Sequence, residues 1–203
     1  MESALCHLES SLLYRLPSIV DRLDLSRMFV QARPLHVELG SGDGSFLAQF
    51  ARKNPDRNFI GIERLLGRLR KLDRKGRRLG LTNLAGLRIE CAYFLEYLLP
   101  PESAEAIHVY FPDPWPKRKH ARNRLVGERF PSIARMALQM GGVVYLRTDH
   151  VGYFEQMQEV FRTAPQFELM ETPEELRTVV TDFEAEFLLR GIPSNHAAYK
   201  RVA

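Results

Sequence analysis

Three glycines and two acids stand where a ligand could be held. In Val37-Glu38-Leu39-Gly40-Ser41-Gly42-Asp43-Gly44, the glycines follow an apolar run and precede a helical one. Glycine at such a place lets the backbone turn tightly and approach a bound molecule, while the helix N-terminus faces it. The dinucleotide-binding version of this loop needs a glycine at position 45, which is Ser45. Glu63 follows 19 residues after Gly44 and ends the next β-rich run. An acid there can accept hydrogen bonds from both hydroxyls of a ribose. A second candidate loop is Pro112-Asp113-Pro114-Trp115-Pro116, followed by Lys117, Arg118, Lys119 and His120. Its prolines hold Asp113 stiffly beside a large aromatic and a cationic run. Stiffness of this kind serves reactions that demand in-line geometry.

Those loops need a scaffold, and the rest of the chain supplies one. The 203 residues are 45% apolar and 27% charged. That is enough for one globular domain with at most a small appendage, and it excludes a disordered, collagen-like or coiled-coil chain. No apolar stretch reaches membrane-spanning length. Met1 to Val20 lacks the basic start and apolar centre of a signal peptide. Cys6 and Cys91 make no disulfide framework and no zinc spacing. A reducing, cytoplasmic setting is expected.

From residue 35, β-rich runs alternate with helical patterns, which signals an α/β fold with a largely parallel sheet. Strands are predicted at Leu35–Leu39, Asn58–Ile62, near Leu87–Glu90, at Ala106–Phe111 and at Val143–Thr148. Phe167–Met170 and Ala198–Val202 are expected to close the sheet as an antiparallel pair. Helices are predicted at Ser45–Arg52, along the stripe of Leu65, Leu69, Leu72 and Leu79, at Tyr93–Leu98, at Arg124–Gln139 and at Tyr153–Arg162. Residues 1–33 read as an N-terminal helical extension with Leu12, Leu13, Leu16 and Ile19 on one face. Residues 34–203 read as a single domain.

Net charge is +4, but its distribution says more than its sum. Arg64, Arg68, Arg70, Lys71, Arg74, Lys75, Arg77 and Arg78 stand against Asp73 alone. Lys117, Arg118, Lys119, Arg122 and Arg124 form a second run, whereas residues 168–186 are acidic. Such asymmetry suits a basic face for a polyanion.

The glycine loop with its acid resembles the S-adenosylmethionine site of class I methyltransferases, whose ligand offers a sulfonium and an amino group to a carboxylate such as Glu38. Pro112-Asp113-Pro114-Trp115 with Lys117 and the basic run resembles the bacterial tRNA (guanine-N7-)-methyltransferases. Leu146-Arg147-Thr148-Asp149 and Thr181-Asp182-Phe183-Glu184 extend the likeness, in order, from Glu38 to about Lys200. The resemblance implies a Rossmann-like, doubly wound, mostly parallel seven-stranded sheet with an antiparallel last strand. It implies S-adenosylmethionine as methyl donor, no metal, and tRNA as partner. The product would be 7-methylguanosine at position 46 of the variable loop. Carried over by motif, Glu38, Gly40, Gly42, Gly44 and Glu63 would hold the cofactor. Asp113 would serve both cofactor and reaction. Lys117, Asp149, Thr181, Asp182, Phe183 and Glu184 would meet the substrate.

Two positions depart from the family pattern. Cys91-Ala92-Tyr93 replaces an acid at the adenine, so Tyr93 or a backbone group is expected to substitute. Asp182 replaces a lysine.

The chemistry fits these residue types. Guanine N7 carries a free lone pair, so the reaction needs no strong general base, and His120 and His150 read as phosphate-facing and surface groups. Positive charge moves from the sulfonium to the purine. Carboxylates around the base stabilise it there. Competing readings are an amino-group methyltransferase on another nucleobase or a protein, and an RNA-binding protein without turnover. Oligomeric state stays open between monomer and homodimer.

Overall fold

A computed structural model describes residues 11–203; Cys6 lies outside them. Seven strands form one sheet in the order β3-β2-β1-β4-β5-β7-β6. They are β1 Leu35–Leu39, β2 Asn58–Ile62, β3 Leu84–Leu87, β4 Ala104–Tyr110, β5 Leu138–Thr148, β6 Phe167–Met170 and β7 Asn195–Arg201. β1 to β5 are mutually parallel, and β7 runs antiparallel between β5 and β6. This is the class I methyltransferase arrangement expected. β1 and β2 are buried at every residue, as strands covered on both faces must be.

Helices α1 Ser45–Lys53 and α2 Leu66–Arg78 follow β1 and β2. A short α3, Cys91–Tyr93, runs into a π-helical turn over Phe94–Leu98. α4 Phe130–Ala137 and α5 Val151–Arg162 flank β5. α6 Glu174–Arg177 and α7 Asp182–Leu189 fill the connection from β6 to β7. One core layer joins the π turn, α4 and α5 to the sheet through Leu95, Leu98, Phe130, Met157 and Phe161. The other joins α1, α2 and α6 through Phe46, Phe50, Leu72 and Leu176.

Four expectations need correction. Residues 11–33 contain no α-helix, only a 3-10 turn at Leu25–Arg27. Leu12 and Leu13 are spent on the edge of β3 instead. Gly86 donates to Leu12 O at 2.8 Å and accepts from Tyr14 N at 2.9 Å, which satisfies an otherwise open edge. Asp73, the acid inside the basic run, accepts from Leu12 N at 2.7 Å and anchors this strap. The helix expected from Arg124 starts only at Phe130, because Pro131 belongs to a first turn and Arg118–Asn123 is a separate 3-10 turn. β3 ends at Leu87, three residues before the predicted end. α6 and α7 occupy a stretch where no helix was predicted.

Candidate active site

Parallel pairing of β1, β2, β3, β4 and β5 brings their carboxyl ends to one rim. At the end of β1, Glu38 is only 4% exposed. Its Oε2 has no hydrogen-bond partner, and neither has Ser41 Oγ. A buried polar atom left unpaired costs about 1–3 kcal/mol, so two of them within one strand-to-loop segment mark a place where a ligand can supply partners. Burial raises the Glu38 carboxyl well above its ordinary value; the charge of Arg147 works against this, and Asp43 and Glu63 add to it. Gly40 and Ser41 both donate to Ile62 O at 2.9 Å, which folds the loop over β2. Gly40, Gly42 and Gly44 have φ of +81°, +56° and +74°, the left-handed region that favours glycine. A Cβ at Gly40 or Gly42 would meet nothing within 4 Å, so the loop borders open space there. A Cβ at Gly44 would lie 2.7 Å from Leu72 Cγ, so α2 packs directly under the loop.

Glu63 follows β2 and is buried. Its Oε1 accepts from Leu65 N at 2.8 Å, and Arg68 lies 3.8 Å from Oε2. After β3, the Cys91 thiol lies against the Gly40 backbone. Burial, then the charges of Glu90 and Glu63, push it up to about 12, so it is a neutral thiol. The Tyr93 hydroxyl donates to Ile19 O at 2.7 Å, which turns it toward the strap. Of the residues after β3, Cys91 is the one whose thiol meets the glycine loop.

The proline loop follows β4. Phe111 N donates to Arg147 O at 2.8 Å, which extends the pairing with β5. Phe111 and Trp115 have φ of +48° and +41°. Bulky residues seldom adopt that region, and such strain concentrates at functional loops. Arg124 Nε holds Pro114 O at 2.8 Å and its guanidinium lies 4.8 Å over the Tyr153 ring. Asp113 and Lys117 are exposed, and Asp149 is half-buried after β5. His120 meets the Trp115 ring edge-on at 5.8 Å. His150 caps α5, its Nδ1 accepting from Tyr153 N at 3.1 Å.

The last motif divides in two. Thr181 and Glu184 are buried. Thr181 Oγ1 accepts from Glu184 N at 3.0 Å, and the Glu184 carboxylate accepts from Thr181 N at 3.4 Å. This is a capping box that starts α7. Glu184 also pairs at 2.6 Å with Arg147, itself 1% exposed. Arg147 further donates to Val179 O at 2.9 Å and lies 4.5 Å over the Tyr110 ring. Asp182 and Phe183 are the exposed pair of the motif. Asp182 bonds Lys75 at 3.1 Å, and Arg68 lies 5.7 Å from the Phe183 ring centre.

Sequence reasoning passed over Ser41, Lys75 and Arg147 as site residues. Two signals were present. Thr-x-x-Glu is a helix-start pattern, and Arg147 is a charge inside a strand otherwise apolar enough to be buried.

Residues 32–195 match the model of a family described as "Putative methyltransferase". The tRNA (guanine-N(7)-)-methyltransferase of Streptomyces avermitilis is 32% identical over 185 residues, covering 89% of this chain and 64% of that protein. The protein of the same name from Chromohalobacter salexigens is 37% identical over 153 residues, covering 75% and 62%. That from Nitrosomonas europaea is 34% identical over 170 residues, covering 79% and 73%. The chain thus spans less than two thirds of the length of the first two. Among solved structures, the 16S rRNA methyltransferase KamB superposes with a TM-score of 0.63 at 18% identity, covering 90% of this chain and 95% of that one. A 30S ribosomal A1408 methyltransferase from an uncultured bacterium gives 0.62 at 18%, covering 90% and 96%. At that identity the likeness is one of fold.

Proposed function

The chain belongs to the methyltransferase family whose curated relatives are named tRNA (guanine-N(7)-)-methyltransferase, and from that premise we propose that it methylates N7 of a guanosine in tRNA, at position 46 of the variable loop. The observation that carries the reading is the pair of partnerless buried atoms, Glu38 Oε2 and Ser41 Oγ, at the glycine loop. S-adenosylmethionine fits that chemistry, because its ammonium and sulfonium are the cationic partners a buried carboxylate lacks. When bound, it supplies an electrophilic methyl group.

In this reading Glu38, Gly40, Gly42 and Gly44 cradle the amino acid end, and Glu63 accepts from the ribose hydroxyls. Cys91 borders the adenine. Asp113 stands on its strained loop where positive charge develops on the purine, and Asp149 accepts from the guanine edge. Phe183 offers a ring to the base, and Lys117 meets its phosphate. Glu184 and Thr181 act one step back, by holding the segment that carries Phe183. No residue is needed to remove a proton from N7.

Arg64 just before α2 and Arg68, Arg70, Lys71, Arg74 and Arg78 along it are exposed, as are Lys117, Lys119 and Arg122 beside the proline loop. These would seat tRNA phosphates. Residues 34–203 form the catalytic unit in this reading, and the strap closes its β3 edge. A cytoplasmic location follows from a tRNA substrate. Among the described residues, no helix is long and apolar enough to cross a membrane.

The test is methyl transfer into unmodified tRNA, mapped by chain cleavage at 7-methylguanosine. Asp113→Ala should lower turnover on the order of 100-fold, the size expected of a group that stabilises transition-state charge. It should change stability by less than about 0.5 kcal/mol, because Asp113 is exposed. Normal turnover by that variant removes Asp113 from the mechanism. A product mapped to an exocyclic amine replaces the N7 reading.

A further inference from the structure

Lys75 of α2 is bonded to two carboxylates that belong to different parts of the site. Its Nζ lies 2.7 Å from Asp43 Oδ2 in the glycine loop and 3.1 Å from Asp182 Oδ2 at the start of α7. Two more bonds tie the same two regions. Asp182 N donates to Ser45 Oγ at 3.2 Å, and Gln49 Nε2 to Val180 O at 3.4 Å. Ser45 and Gln49 lie on α1, which the glycine loop opens. The C-terminal segment therefore rests on the helix behind the cofactor loop, and Phe183 follows Asp182 at once.

The two halves of the bridge differ in shelter. The Lys75 and Asp43 side chains are 27% and 24% exposed, and Asp182 is 65% exposed. Water screens the Asp182 half more, so that half makes and breaks more readily. Burial lowers the pKa of Lys75, but its bonds to Asp43 and Asp182 raise it overall, so the ammonium stays charged. A ligand that orders the glycine loop fixes Asp43. Asp43 fixes the ammonium, and the ammonium then holds Asp182 against less freedom than before. Ordering one site lowers the entropy lost on ordering the other, which is positive coupling without a large movement.

We propose that Lys75 is a positioning residue that couples occupancy of the glycine loop to placement of the Asp182–Phe183 edge against the target base. The inference rests on the methyltransferase reading above and adds the link between its two ligands. By reciprocity, tRNA should tighten cofactor binding by the factor with which cofactor tightens tRNA.

The experiment is a calorimetric titration of the full chain with S-adenosylhomocysteine, with and without saturating tRNA. In the wild type, tRNA should tighten the ligand at least about 5-fold, the lower end of ordinary coupling. Lys75→Met should bind S-adenosylhomocysteine alone within about 3-fold of wild type, while the effect of tRNA falls below about 2-fold. Asp182→Asn should lose coupling in the same way, and its exposed side chain makes misfolding no explanation. Lys75→Arg keeps a cation between the two carboxylates and should retain coupling that Lys75→Met loses. Full coupling in Lys75→Met or Asp182→Asn overturns the proposal, as does a Lys75→Arg variant that couples no better than Lys75→Met. A wild type that binds both ligands independently also overturns it. Failure of the wild type to bind S-adenosylhomocysteine at all is a different result, since it removes the methyltransferase reading itself.

Discussion

On β4, Ile107 and Val109 enter the layer under α4 and α5, while His108 and Tyr110 enter the layer under α1; all four are buried. The first layer is filled by side chains such as Val37, Leu39, Val144 and Leu146. The second carries a bonded row across β1 and β4. Glu105 holds His36 at 3.0 Å, His36 holds His108 at 2.9 Å, and His108 holds Tyr110 at 2.8 Å. Arg147 then covers the Tyr110 ring and pairs with Glu184. Within this row the ring nitrogens of His36 and His108 have partners, so the cost of burying them is offset. The unpaired atoms, Glu38 Oε2 and Arg147 Nε, lie at the rim end. One face of the sheet thus holds the strands together by apolar burial, and the other sets the charge beneath the site.

Residues 146 and 147 put that division to the test on a single strand. Arg147→Ala leaves Glu184 buried without its cation and should cost about 3–5 kcal/mol in urea unfolding. Leu146→Ala leaves a cavity and should cost about 2–5 kcal/mol. The two should part in ligand affinity. Folded Leu146→Ala should bind S-adenosylmethionine within about 2-fold of wild type, since it leaves every charge in place. Arg147→Ala removes the charge that favours ionised Glu38, so its carboxyl rises further and a cationic ligand binds more weakly. Equal affinity losses in both variants would erase the distinction between the faces.

His108 sharpens the comparison by pH. Burial lowers its pKa well below the ordinary 6.5, and the nearby charges of His36, Arg147 and Arg57 act the same way. Below that ordinary value the unfolded chain takes up a proton that folded His108 refuses, so stability present at neutral pH is lost on acidification. One buried histidine of this kind should cost about 2 kcal/mol between pH 6.5 and pH 5. His108→Gln should flatten that slope while lowering stability at pH 7 by about 1 kcal/mol through poorer bonding in the row. Urea midpoints at the two pH values decide it. An unchanged slope would place the acid sensitivity elsewhere.

Much of this is legible in the sequence, because local pattern and physical cause coincide. β1 and β2 fell where apolar runs end in turn residues, and the glycine loop was readable because three positive φ angles need glycine. The strap was misread because Leu12, Leu13, Leu16 and Ile19 keep helical spacing, although Pro17 interrupts them and the edge of β3 claims the first two. Thr181 and Glu184 carry a structural role as well, which the family motif alone does not show: they start α7. Their spacing already spelled a capping box. The polar row was also written in the strands, as His36 and Glu38, His108 and Tyr110, Tyr145 and Arg147 at every second residue. Alternation usually means one wet face. Here both faces are covered, so most of these residues are buried, and His36, His108 and Tyr110 bond one another.

Glu38 is where the two faces meet function. Its carboxyl is raised well above the ordinary value of 4.5, chiefly by burial. Between those two values the folded chain binds a proton that the unfolded chain has lost, so wild-type stability falls as pH rises through the window. Gln cannot titrate, so Glu38→Gln should be flat there and more stable than wild type above it. The cationic cofactor acts in the opposite sense, because it favours the carboxylate. Binding should therefore release a proton from the wild type, measurable as a dependence of calorimetric heat on the ionisation enthalpy of the buffer. Affinity for S-adenosylmethionine should rise with pH through the same window. In Glu38→Gln the proton release should vanish and affinity should fall on the order of 100-fold, since a buried cation loses its counter-charge. A variant that gains no stability at high pH, or that keeps wild-type proton release, would mean that this acid is satisfied without a ligand, and the polar face would then be structural throughout.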